Sequence, residues 1–175
     1  MLNLFRRTPT IASPTIGFLD LTGGDASAAI AADKAALVSL FSSSVESSDV
    51  PPTCSVLFLY CHIEPSGTIR GSSRGLREII RDSRAAVVVV ASENSGDSYI
   101  AAGKRCGYGL ANLVMALDRR GDVFPKFFQR LFTEMKHGVS MPVAWVKFAP
   151  QAPRAEHADC PGTIFACEVG QLAFR

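Results

Sequence analysis

Residues 85–96 read AAVVVVASENSG, an apolar, β-branched run that stops at a polar turn ending in glycine. Four consecutive valines leave no polar face. A strand of that kind is covered on both sides, which places residues 85–91 in the interior of a sheet with helices above and below it. The flanking sequence repeats the pattern. Upstream, residues 55–60 (SVLFLY) form a second buried strand, closed by Cys61-His62 and a Pro65-Ser66-Gly67 turn. Ser72 or Ser73 then opens a helix through Leu76, Ile79 and Ile80. Downstream, residues 99–104 read as a short helix and residues 113–117 (LVMAL) as a further strand ending at Asp118.

Further out, residues 15–22 (TIGFLDLT) give a strand that ends in Gly23-Gly24-Asp25. The Ala-rich residues 26–44 follow as a helix, and the Ser/Asp/Pro stretch SSSVESSDVPPT breaks the chain. Beyond Asp118, Phe124, Phe127, Phe128, Leu131, Phe132 and Met135 recur at helical spacing, closed by His137-Gly138. Another helix spans 141–148, and residues 163–169 (TIFACEV) supply a last strand after a Pro-rich loop. Strands alternating with helices predict an α/β fold: a mostly parallel sheet flanked by helices on both faces. Residues 1–14 read as a lead-in and 15–175 as one domain. A flavodoxin-like doubly wound sheet is the rival architecture. In either, chemistry gathers at the loops beyond the strands' carboxyl ends.

Composition narrows the functional classes. The 175 residues are 47% hydrophobic and 19% charged, with a formal net charge of +2. That balance gives no electrostatic footprint for nucleic acid. No run approaches the ~20 apolar residues that span a bilayer, so no membrane partner is expected. Five cysteines without CxxC spacing argue against a disulfide framework and a structural zinc site. The start MLNLFRRTPT lacks the apolar core of a secretory peptide, so a cytoplasmic address is expected. Gly103, Gly107 and Gly109 have neither the dinucleotide nor the P-loop spacing, and no cofactor is expected.

His62, just past a strand end, is placed to act as a base toward a thiol delivered by the neighbouring strand. The succession LFLYCHIEPSG, VVVVASENSG, ANLVMALD, FFQRLFTEMKHG, SMPVAWVKFA and DCPGTIFACEVG resembles the CHAT domain of the caspase-like clan over about residues 50–175. In that family the first strand motif ends in His-Gly, and the second reads approximately Leu-Ser-Ala-Cys-Glu-Thr-Gly. Aligned on the apolar run and Gly96, Glu93 takes the cysteine position, and Ile63 takes the glycine position after the histidine. The resemblance implies a caspase-like three-layer sandwich. It also implies a domain without its nucleophile that acts through a protein partner, with His62 and Glu93 meeting across adjacent strand ends.

Three alternatives stay open. A slip of one residue puts Ser92 at the nucleophile position. A cysteine endopeptidase would use His62 as base with Cys106, whose neighbours Lys104 and Arg105 favour a thiolate; Cys61, adjacent to His62 on an extended segment, points to the opposite face and reads as core. A metal-dependent hydrolase would draw on the strand-end carboxylates Asp20, Glu93 and Asp118. Two surfaces suit a partner: the excess of the aromatic stripe on 124–132, and a basic helical face of Arg70, Arg74, Arg77, Arg81 and Arg84.

Overall fold

The structure, a computed structural model, describes residues 9–106, 111–149 and 160–175. In chain order the elements are β1 (Thr10–Ile11), β2 (Thr15–Asp20), α1 (Ser27–Leu37), β3 (Ser43–Ser47), β4 (Val56–Tyr60), α2 (Leu76–Ser83) and β5 (Val87–Val90). They continue with α3 (Gly96–Cys106), β6 (Asn112–Asp118), α4 (Val123–Lys136), α5 (Met141–Phe148), β7 (Gly162–Ala166) and β8 (Ala173–Phe174). Six strands make one sheet in the order β3-β2-β4-β5-β6-β7. The first five are parallel, and β7 runs antiparallel along β6. Counted from β2, the five parallel strands run in the order 2-1-3-4-5, that of a doubly wound α/β sheet.

Side-chain alternation along the buried strands builds two cores. Ile16, Phe18, Val56, Phe58, Val87 and Val89 point to one face, covered by α1, α4 and α5. Leu57, Leu59, Val88 and Val90 point to the other, covered by α2 and α3. The valine run of β5 is fully buried and hydrogen-bonded on both sides, as its composition predicts. Two packed helical layers over a mostly parallel sheet make a three-layer α/β sandwich.

Several expectations are corrected. The first helix ends at Leu37 rather than 44, and a single turn of 3-10 helix, Val38–Leu40, leads into β3. β3 falls inside the expected break because four of its five residues are exposed at the sheet edge, leaving no apolar signal. Part of the expected lead-in, Thr10–Ile11, pairs in parallel with Ala173–Phe174. The aromatic stripe leaves no excess for a partner. Phe124, Phe127, Phe128, Leu131 and Phe132 are all at most 1% exposed. α5 packs on the flank of α4, with the Trp145 ring 5.0 Å from that of Phe127, so both sides of the stripe are covered.

Candidate functional site

β2, β4, β5 and β6 end at the same edge of the sheet. The chain turns outward from β2 to β3 and inward to β4, so the β2–β4 boundary is the switch point at which doubly wound sheets open a crevice. His62 lies two residues past β4 and is half-buried. Its backbone is gripped from both sides by one amide. The Ile63 N–H donates to Asn94 Oδ1 at 2.7 Å, and Asn94 Nδ2 donates to Cys61 O at 3.2 Å. The same Nδ2 reaches Ser92 O at 3.1 Å and the Tyr99 hydroxyl at 3.3 Å, while Tyr99 Oη donates to Ala116 O at 2.8 Å. Asn94 thus fixes the loop after β4 against the loop after β5. The sequence carries one sign of it: an Asn in a turn directly after a buried strand bonds nearby backbone.

Glu93 is exposed, and its Oε1 accepts the Arg119 N–H at 2.8 Å. The side chain of Arg119 runs inward, where Nη1 donates to Ala91 O at 2.7 Å and Nη2 to Asp33 Oδ1 at 2.9 Å. Its guanidinium lies 4.0 Å from the centre of the Phe124 ring. Asp33, fully buried on α1, also accepts the Tyr60 hydroxyl at 2.7 Å. Burial raises the Asp33 carboxyl above its ordinary range, opposed by the Arg119 and Tyr60 bonds. Tyr60 is pushed well up by burial and by the facing Asp33 charge. Asp33 reads from sequence as one polar residue of an Ala-rich helix, so nothing there marks this cross-brace.

Tyr60, His62, Ala91, Ser92, Glu93 and Arg119 line one cavity of about 290 Å³. His62 also walls a larger cleft of about 670 Å³ against the β2–α1 loop. The adjacent strands β4 and β5 therefore bring His62 and Glu93 to one cavity, but the expected contact between them is not made: no ion pair joins the two, and Glu93 is turned to the Arg119 N–H. Ser92 lines the cavity without a hydrogen bond to His62 among the described residues.

The other candidates separate. Cys61 is fully buried in the core under α2 and α3, and burial pushes its thiol up to about 12, so it is no nucleophile at neutral pH. Cys106 closes α3, and its side chain lies outside the described residues. The three strand-end carboxylates do not converge. Asp20 Oδ1 accepts the N–H and hydroxyl of Thr22 at 2.8 and 2.6 Å, and Asp118 is taken by Arg120. Among the described residues no three His, Cys, Asp or Glu side chains stand together as metal ligands. No helix there is long and apolar enough to cross a membrane. No protein-family model, curated protein or solved structure matches this chain.

Proposed function

We propose that the chain is a non-catalytic, caspase-like domain related to CHAT domains, and that it acts by binding another protein in the cytoplasm. One observation carries the reading. Adjacent parallel strands deliver His62 and Glu93 to a single cavity, as the resemblance requires of the base and the nucleophile position. The group at that second position is a carboxylate already bonded to a backbone N–H. A carboxylate does not perform thiol acyl transfer, and the adjacent Cys61 is sealed in the opposite core.

The test restores the missing atom. In Glu93→Cys, a thiol opening on the same cavity as His62 should label rapidly with iodoacetamide at neutral pH, and His62→Ala in the same chain should slow it to the rate of an ordinary exposed thiol. Equal rates with and without His62 would remove the alignment. A peptide library offered to the parent chain should remain intact. Cleavage that disappears in His62→Ala would restore the cysteine endopeptidase.

A further inference from the structure

The arginines of residues 70–84 do not share one helical face, because α2 begins only at Leu76. They divide by what they touch. Arg70 Nε lies 2.6 Å from Glu64 Oε1, and Arg81 Nε lies 3.0 Å from Asp82 Oδ1. Arg84 closes α2 in the left-handed conformation. Arg74 and Arg77 have no carboxylate partner among the described residues, and both line one cleft of about 420 Å³ between the segment before α2 and α3.

Arg74 and Arg77 are the two basic residues of the cleft lining, and Arg74 also borders the His62 cleft. Arg74 Nη1 donates to Asp49 O at 3.2 Å, which holds the side chain in place without neutralising it. The Arg74 N–H donates to Ser72 Oγ at 3.1 Å, fixing the ridge from which the guanidinium rises. Glu78 is the one acid in the lining, and its carboxylate accepts the Gly75 N–H. Thr68 and Ser73 add hydroxyls, and the core residues Ile69, Leu76 and Ala102 close the floor beneath them. Two guanidiniums outside any ion pair, in a lining that also carries hydroxyls, suit carboxylates, which arginine holds by paired N–H bonds.

We infer that this cleft docks an acidic, Asp- or Glu-bearing segment of a partner protein on Arg74 and Arg77. The inference rests on the reading of the chain as a protein-binding domain, but uses a surface that shares only the Ser72–Arg74 ridge with the His62 cleft.

The experiment follows the fluorescence anisotropy of a labelled peptide of alternating Glu and Gly, titrated with the full chain at low salt. Binding that weakens as salt is added is expected. The double variant Arg74→Ala with Arg77→Ala should bind at least about tenfold more weakly, whereas Arg81→Ala with Arg84→Ala, equal in charge, should change affinity less than about twofold. Equal weakening in both pairs, or no binding to the parent, would overturn the inference. So would release of the peptide by millimolar inorganic phosphate, which would make the cleft a phosphate site. The iodoacetamide labelling of Glu93→Cys does not depend on Arg74 or Arg77, so the two proposals fail separately.

Discussion

Asn94 stands between two loops that carry the site, and its removal has a calculable cost. Asn94→Ala strands the Ile63 N–H and takes a donor from three oxygens. Each unpaired buried group costs about 1–3 kcal/mol, so a loss of roughly that size is expected in urea denaturation, with faster hydrogen exchange at Ile63. Asp33 gives a pH dependence of defined sign. Burial holds its carboxyl above the ordinary value of 3.8, so the folded state favours the protonated form. At neutral pH its ionisation opposes folding, and that opposition fades as pH falls through the raised value toward 3.8. Unfolding measured across that window should show the parent gaining stability relative to Asp33→Asn as pH falls. His62 and Glu93 were readable because each stands in the short turn that closes an apolar run. The long-range bonds of Asn94 and Arg119 were not, because their partners Ile63 and Asp33 lie 31 and 86 positions away along the chain.

Among the strands, burial decides both what was readable and what is fragile. β5 declares itself because both faces are apolar, whereas β3 is an edge whose pairing with β2 leaves no hydrophobic trace. Val88→Asp and Val89→Asp each place a charge in a different core, and neither variant should yield soluble folded protein, as judged by circular dichroism of the purified chain. Near-normal melting of both would displace β5 from the interior. β2 contains a tighter constraint. A Cβ on Gly17 would stand 2.7 Å from Cys54 Sγ and 2.9 Å from Pro52 Cγ. Gly17→Ala should therefore cost about 1–3 kcal/mol, and Cys54→Ala in the same chain should recover part of it in a double-mutant cycle.

The assembled fold depends on its last residues more than their length suggests. Phe174 is 2% exposed, and its ring lies 5.8 Å from both Phe41 and Phe132. Phe174→Ala should lower stability by about 3–5 kcal/mol in thermal or urea unfolding. β8 was invisible in the sequence because two residues carry no period, and their partner, β1, is equally short. Together they close the two ends of the described chain over the α4 face. The Ala173 N–H donates to Pro9 O at 3.0 Å, the Arg175 N–H to Ile11 O at 2.9 Å, and the Ser13 N–H to Arg175 O at 3.0 Å. Because the pair is parallel, tension applied between residues 9 and 175 pulls the strands past each other in opposite senses. The three bonds then share the load together instead of peeling in turn. The seam is a mechanical fastener, loaded in shear whenever the domain is stretched from its ends.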